Sequence, residues 1–166
     1  IDFIYSAKEI LKHGYKFNFL LVGPIDEKNK SSINKNYLLK INKTFKKIKW
    51  VGHKSNLKKI FNEAILMCFP SYHEGSPRAL IEAASNGLPI ICYDIPGCRT
   101  IVKNEYNGIL VKVKNKKLLT KKLIEIIQNK KKLNIYSNNS IKMSKKFLIQ
   151  NFNKNYKKFY SRFCSV

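Results

Sequence analysis

Two glutamates and the short segment between them are the residues of this 166-residue chain whose types and spacing could do chemistry. Glu74 is followed directly by Gly75-Ser76-Pro77, and Glu82 comes seven intervening residues after Glu74. Glycine lets a backbone approach a ligand closely. Serine followed by proline predicts a helix start, with Ser76 as the N-cap and Pro77 as the first helical residue. The free N–H groups and the dipole at such a start favour a phosphate.

Two carboxylates beside a phosphate site need hydrogen-bond donors of their own. Paired sugar or ribose hydroxyls supply two O–H donors to one carboxylate. The pattern therefore predicts a nucleotide sugar, with the sugar at one glutamate and the ribose at the other. Two structural alternatives stay open. Glu82 could pair with Arg78 at i,i+4, a contact of about 0.3–0.5 kcal/mol, and Glu74 could be an ordinary loop acid.

The elements that must position these residues alternate between strand and helix. Short apolar runs at residues 17–23, 48–52, 65–70, 89–94 and 109–113 predict five strands, with helical spacing between them. Strands separated by helices indicate a doubly wound parallel sheet, a Rossmann-like α/β fold. Glu74 follows the third of these strands, at the edge where open α/β sheets bind ligands.

From about residue 116 the pattern is helical only. We therefore divide the chain into a nucleotide-sugar-binding domain, residues 1–115, and C-terminal helices, residues 116–166, that pack on the same domain. One apolar stripe consists of Leu119, Leu123, Ile126 and Ile127. A second, aromatic stripe consists of Phe152, Tyr156, Phe159, Tyr160 and Phe163. Packing against the domain and contact with a membrane surface both explain the aromatic stripe.

The charge is strongly positive, with 33 Lys and Arg against 10 Asp and Glu, a formal net charge of +23. Such a field attracts nucleic acid, anionic membranes and phosphorylated ligands. Nearly all the basic residues are lysines, and the chain is also rich in Asn and Ile. An AT-rich coding bias and a selected attraction to a membrane both explain the excess. The chain lacks RNP, KH and zinc-finger patterns, which argues against a nucleic-acid-binding role.

Cysteine and histidine spacing gives no indication of a metal site. Cys68, Cys92, Cys98 and Cys164 form no CxxC pair, and the three histidines are scattered. Cys68 and Cys92 lie in apolar runs, where a buried free thiol is expected. No apolar run approaches the ~20 residues needed to cross a bilayer. The first residues carry no signal-peptide pattern, so we expect a cytoplasmic protein, with peripheral attachment to the inner face of the membrane as a further expectation.

The segment PSYHEGSPRALIEAASNGLPII, which contains Glu74 and Glu82, resembles the group 1, or family 4, glycosyltransferases. Residues 94–99, DIPGCR, and 107–111, NGILV, are similar to that family too, and the similarity spans roughly residues 1–125. The resemblance implies the C-terminal, donor-binding half of a GT-B fold.

The resemblance also implies roles for individual residues. Glu74, the catalytic candidate, is expected to contact hydroxyls of the donor sugar, and Glu82 to hold the ribose. Backbone amides near Gly75, Ser76 and Pro77 are expected to bind the diphosphate. The nucleotide base is expected near a second group of residues, Trp50, Gly52, His53 and Lys54, and Gly23 is expected to border the nucleotide.

The activity that the resemblance implies is transfer with retention of anomeric configuration, without a metal and without any cofactor besides the nucleotide-sugar donor. The sequences of these motifs are most similar to those of bacterial enzymes that extend polyprenyl-diphosphate-linked or capsular glycans. Such enzymes mostly use a UDP-hexose or a UDP-N-acetylhexosamine. The alternatives are a UDP-sugar epimerase of the same architecture, and a non-enzymatic basic module that binds nucleic acid or an anionic membrane.

The chain departs from the family pattern in two places. Gly23-Pro24 replaces the usual glycine-x-glycine loop. The first strand, and the Arg and Lys that grip the diphosphate, are expected upstream of Ile1, as is the acceptor-binding domain. The first strand would lie between the strands at 17–23 and 65–70, so these two should not pair directly in an undistorted sheet. We expect the 166-residue chain alone to bind a nucleotide sugar weakly and to transfer nothing.

Overall fold

A computed structural model describes residues 1–26, 32–148 and 161 of the chain. Within them, five short strands alternate with helices, which confirms the α/β fold class. The strands are β1 (Phe19–Leu21), β2 (Ile48–Trp50), β3 (Met67–Phe69), β4 (Ile90–Tyr93) and β5 (Gly108–Val111). The helices are α1 (Asp2–Lys12), α2 (Lys35–Thr44), α3 (Lys58–Glu63), α4 (Arg78–Ser85), α5 (Pro96–Arg99), α6 (Lys116–Gln128) and α7 (Lys130–Ser144), followed by a 3-10 turn (Lys145–Phe147).

All the strand pairs in the described residues are parallel, but they form two sheets. One sheet has the order β1-β2 and the other the order β3-β4-β5. Phe19 lies opposite Ile48 in the first sheet, and Ile91 lies opposite both Cys68 and Ile109 in the second. In the described ranges no ladder joins β1 to β3. The prediction that these two strands do not pair directly is therefore confirmed.

Helices α1 and α6 cover one face of the strands. Ile4 and Ile10 lie on one side of α1 because each is three residues from Ala7, and Leu119 and Leu123 lie on one side of α6 because they are four residues apart. All five side chains are buried, and they belong to one cluster with Ile91 of β4. This cluster fixes α1 against the sheet that carries the candidate site.

Two sequence predictions need correction or lie outside the described residues. After a turn at Pro96-Gly97 the sequence predicts a short helix around residues 98–103, but the structure has α5 at Pro96–Arg99 instead. It begins earlier because Pro96 supplies a preset φ at the first helical position. The aromatic stripe falls outside the described residues, and it consists of Phe152, Tyr156, Phe159, Tyr160 and Phe163.

A carboxylate before β5 joins that strand's entry turn to α7. Glu105 accepts hydrogen bonds from the Tyr136 hydroxyl at 2.7 Å and from the Lys132 ammonium at 2.5 Å. The Lys132 and Tyr136 hydrogen bonds hold the pKa of Glu105 below its ordinary value. Tyr136 is buried, so this contact fixes α7 on the rest of the fold.

Replacing Glu105 by glutamine is expected to destabilise the chain at neutral pH and to reduce its acid sensitivity. The folded-state pKa of Glu105 is lowered, so its stabilisation is present above the ordinary pKa near 4.5 and is lost as the pH falls through the folded-state value. About half of the side chain is exposed, so we expect a loss of only about 1 kcal/mol. Urea unfolding from pH 7 to 3 measures it. Glu63→Gln, an exposed control, should leave the pH profile unchanged.

Candidate functional site

The loop between β3 and α4 carries the first predicted site residue. Glu74 is half-buried, and its Oε1 accepts a hydrogen bond of 2.9 Å from the Ser71 hydroxyl. Its Oε2 has no hydrogen-bond partner in the described part of the chain. The loop forms one wall of an open cleft of about 620 Å³, lined by Tyr72, His73, Glu74, Gly75, Ile95 and Pro96. Glu74 therefore presents a free carboxylate oxygen at the cleft.

Helix α4 starts differently from the sequence prediction. The N-cap is Pro77, not Ser76, and α4 begins at Arg78 without a side-chain cap. The Pro77 carbonyl instead accepts from the Leu80 N–H at 2.9 Å in a tight first turn. The prediction that Ser76 caps the helix is therefore wrong, because Pro77 has an extended ψ of 97° and stands outside the helix.

At the start of α4, several backbone N–H groups have no hydrogen-bond acceptor among the described residues. The unpaired N–H groups belong to Gly75, Ser76, Arg78 and Ala79. Pro77 cannot be among them, because proline has no N–H, so its predicted contact with a diphosphate cannot be a backbone hydrogen bond. Unpaired N–H groups at a helix start, with the positive end of the helix dipole, form an anion site.

Glu82 stands one turn further along α4. Its side chain is exposed, and its carboxylate forms no ion pair or hydrogen bond with any described residue. The alternative in which Glu82 pairs with Arg78 is therefore wrong for this structure. The bonds at Glu82 involve only its backbone oxygen, which accepts from Ser85 and Asn86. Both glutamates thus retain oxygen atoms that can accept from a ligand.

The residues predicted to border the base lie in part at the ends of β1 and β2. The Trp50 indole N–H donates to the Gly23 carbonyl at 3.0 Å, and the Gly23 N–H donates to the Gly52 carbonyl at 2.9 Å. Gly52 has a φ of 69°, which favours glycine. His53 and Lys54 follow on the exposed surface. The roles of these five residues toward a base stay predictions.

Asn42 of α2 fixes Trp50 in place. Its side-chain amide donates to the Trp50 carbonyl at 2.9 Å and accepts from the Trp50 N–H at 2.7 Å. Both backbone groups of Trp50 are therefore satisfied by one side chain. Asn42 fixes the Trp50 backbone and Gly23 fixes the indole ring, so Trp50 is a rigid part of the end of β2.

The Glu74 loop is supported by contacts that the sequence patterns did not indicate. Tyr72 donates to the Asp2 carboxylate at 2.9 Å and stacks on Tyr93, with 5.7 Å between ring centroids. Gly97 of α5 lies so close that a Cβ there would overlap the Glu74 backbone carbonyl. Asp2 is 70 residues from Tyr72 and 91 from Tyr93 in the chain, so no local pattern could reveal this contact.

An exposed charged pair flanks Ile95 and Pro96 in the chain, the two residues that line the cleft opposite the loop. The Arg99 Nε donates to Asp94 Oδ1 at 2.6 Å. This hydrogen bond holds the pKa of Asp94 below its usual range. The carboxylate is therefore ionised at neutral pH and neutralised locally by the guanidinium.

The described residues contain no group of three His, Cys, Asp or Glu arranged to hold a metal. The two cysteines of the apolar runs, Cys68 and Cys92, are free; Cys92 is buried as expected, whereas Cys68 as a whole residue is only partly buried. Burial raises the pKa of the Cys68 thiol to about 12. Among the helices in the described ranges, none combines the length and the apolar character needed to span a bilayer.

A parallel α/β architecture with an anion site at the carboxyl end of β3 is that of the nucleotide-binding α/β proteins. Comparison with known proteins gives the family. Residues 1–143 match the model of glycosyl transferases group 1, and the chain belongs to that family. This membership favours the glycosyltransferase over the epimerase alternative, and the solved structures that it resembles share its GT-B type of fold.

The chain is similar to several bacterial enzymes of glycan assembly. It is 31% identical over 135 residues to the N,N'-diacetylbacillosaminyl-diphospho-undecaprenol alpha-1,3-N-acetylgalactosaminyltransferase of Campylobacter jejuni, and the match covers 81% of this chain and 34% of that protein. It is 31% identical over 121 residues to the UDP-Gal:alpha-D-GlcNAc-diphosphoundecaprenol alpha-1,3-galactosyltransferase of Escherichia coli, and that match covers 73% and 30%.

The fold is similar to that of Anabaena HepE in complex with UDP, with a TM-score of 0.83 at 18% identity, covering 97% of this chain and 44% of that one. The chain spans about a third of the length of the two bacterial relatives.

Proposed function

We propose that the chain is the donor-binding part of a glycosyltransferase that takes a UDP-hexose or a UDP-N-acetylhexosamine. The observation that supports this most directly is the start of α4, where four unpaired N–H groups lie between Glu74 and Glu82. The N–H groups would hold the diphosphate. Glu74 would accept from hydroxyls of the donor sugar, and Glu82 from the ribose. The names of both bacterial relatives refer to transfer onto diphosphoundecaprenol-linked glycans.

The proposed reaction moves the sugar with retention of configuration and without a metal. The bond between the anomeric carbon and the diphosphate oxygen breaks, and a bond from that carbon to an acceptor hydroxyl oxygen forms on the same face. The proton of the acceptor hydroxyl passes to the leaving diphosphate oxygen, and UDP leaves. The α4 N–H groups and the helix dipole would stabilise the negative charge that develops on the leaving diphosphate.

The proposed acceptor is a lipid-linked or cell-surface glycan, bound with the help of an acceptor domain. The proposed place of work is the inner face of the cell membrane, where a chain of net charge +23 would be attracted to anionic lipid. The undecaprenol-linked acceptors of the two relatives support both proposals.

Calorimetric titration of the chain with UDP, GDP and ADP, and with their sugars, tests the proposed donor. We expect UDP to bind most tightly, and Glu82→Ala to weaken it by about 1–3 kcal/mol through lost charged hydrogen bonds. Glu63→Ala is the matched control, since Glu63 is an exposed acid at the end of α3, and it should leave UDP affinity unchanged. Equal affinity for the three nucleotides would contradict the donor assignment. Salt-sensitive RNA or DNA binding without a response to UDP would favour the non-enzymatic module.

A further inference from the structure

A buried carboxylate joins two tyrosines from different parts of the chain. Asp2 is the first residue of α1, Tyr93 is the last residue of β4, and Tyr72 lies in the loop two residues before Glu74. A single oxygen, Asp2 Oδ2, accepts from the Tyr93 hydroxyl at 2.5 Å and from the Tyr72 hydroxyl at 2.9 Å. Asp2 is only 9% exposed and Tyr93 is fully buried. The loop is thus bonded to a fixed point in the core.

The direction of these hydrogen bonds is fixed. Burial raises the pKa of Tyr93 well above its usual range, with the Asp2 hydrogen bond as the second cause. The hydrogen bond to Asp2 raises the pKa of Tyr72. Both phenols therefore stay protonated and donate, while the Asp2 carboxylate accepts. Hydrogen bonds to a charged acceptor are about twice as strong as neutral ones, and the first turn of α1 favours the negative charge of Asp2.

Tyr72 is the link between this buried pair and the exposed loop. Its ring stacks on Tyr93 with an interplanar angle of 10°, and the Lys114 ammonium lies 5.9 Å from its centroid. The next residues, His73, Gly75 and Ser76, are exposed, so the Tyr72 contact adds to the close approach of Gly97 in restricting this loop. An exposed loop held in one conformation binds a ligand with a smaller loss of conformational entropy.

We propose that Tyr72 is a positioning residue, which transmits the fixed position of Asp2 and Tyr93 to the loop so that the α4 N–H groups and Glu74 face the donor diphosphate and sugar. This inference rests on the proposed function. It assigns a ligand-binding consequence to the buried contact with Asp2, because Tyr72 lines the cleft beside Glu74 and would hold the Gly75 and Ser76 backbone in place.

The test compares UDP with UMP on the wild-type chain and on Tyr72→Phe. Phenylalanine keeps the ring stack and removes only the hydroxyl. We expect the UDP affinity to fall about tenfold, as for the loss of one hydrogen bond to a charged group. The ratio of UDP affinity to UMP affinity should fall with it, because the loop amides are assigned to the diphosphate. A loss of general stability would lower both affinities equally and leave the ratio unchanged.

Tyr15→Phe is the matched control. Tyr15 also stacks on an aromatic ring, Phe17, and its hydroxyl accepts from Gln128 at 2.6 Å. It lies away from the loop, so this variant should leave the ratio unchanged. Tyr93→Phe provides the second variant, and its effect on the ratio should not add to that of Tyr72→Phe, since both act through Asp2.

An unchanged ratio in Tyr72→Phe, while the wild-type chain binds UDP, would overturn this inference alone. Additive effects of Tyr72→Phe and Tyr93→Phe would also overturn it, because they would exclude a shared path through Asp2. A wild-type chain that binds no UDP would overturn the proposed function and this inference together.

Discussion

Replacement of Gly97 by alanine is expected to reduce the affinity of the chain for UDP by about tenfold or more. Gly97 lies in the first turn of α5, and a Cβ there would overlap the Glu74 backbone carbonyl and come within 2.8 Å of the Gly75 carbonyl oxygen. Backbone atoms cannot rotate away as a side chain can, so the loop or α5 must move. Either movement changes where Glu74 and the neighbouring N–H groups point.

The Gly97 prediction is measured by UDP titration together with thermal unfolding. Gly14→Ala is the control, because Gly14 has a φ of 85° but a Cβ added there would meet no atom within 4 Å. That variant should lower the unfolding temperature through backbone strain alone and leave UDP affinity unchanged. Wild-type UDP affinity in Gly97→Ala would show that the loop does not depend on this close approach.

Replacement of Gly108 by alanine should give the largest loss of stability. Gly108 begins β5 beside β4, where a Cβ would overlap the Ile90 carbonyl oxygen and lie 2.9 Å from Val102 Cγ1. Gly108 and Ile90 are directly paired in the sheet, and both are buried. The added atom must separate β4 from β5. We expect a loss of about 3 kcal/mol, which lowers the unfolding temperature by roughly 6–12 °C.

Differential scanning calorimetry measures this change. Gly75→Ala serves as its control, since a Cβ at Gly75 meets no atom within 4 Å and the residue has no positive φ. Its unfolding temperature should stay close to that of the wild type. If both variants unfold at the wild-type temperature, the close approach of β4 and β5 does not contribute to stability.

The strands could be predicted because buried parallel strands are continuous apolar runs. Residues 89–94 contain β4, whose four residues are all buried. The predicted runs exceed the hydrogen-bonded strands: Phe17 and Val22, for example, flank β1 without being part of it. Apolar character reports burial, whereas strand bounds depend on hydrogen bonds to a partner that the sequence does not show.

The candidate site could be predicted where it is local. Glu74 and Glu82 flank the start of one helix, so their spacing alone places them. The contact between Asp2 and Tyr72 spans 70 residues, and only the packing of α1 against the sheet creates it. The helix start was predicted one residue early. The prediction used the general preferences of serine and proline at Ser76 and Pro77, whereas Pro77 adopts an extended backbone in the structure.

The amide of Asn42 also has a consequence for the sheet of β1 and β2. The backbone groups of residues 47 and 51 form hydrogen bonds with β1. Successive residues of a strand direct their backbone groups to opposite sides, so those of Trp50 face the outer margin of β2. There Asn42 binds both the N–H and the carbonyl of Trp50. An open margin of this kind can recruit a strand from another molecule and start aggregation. One side chain from α2 occupies this position, so the chain closes part of that margin to intermolecular strand pairing without adding another strand.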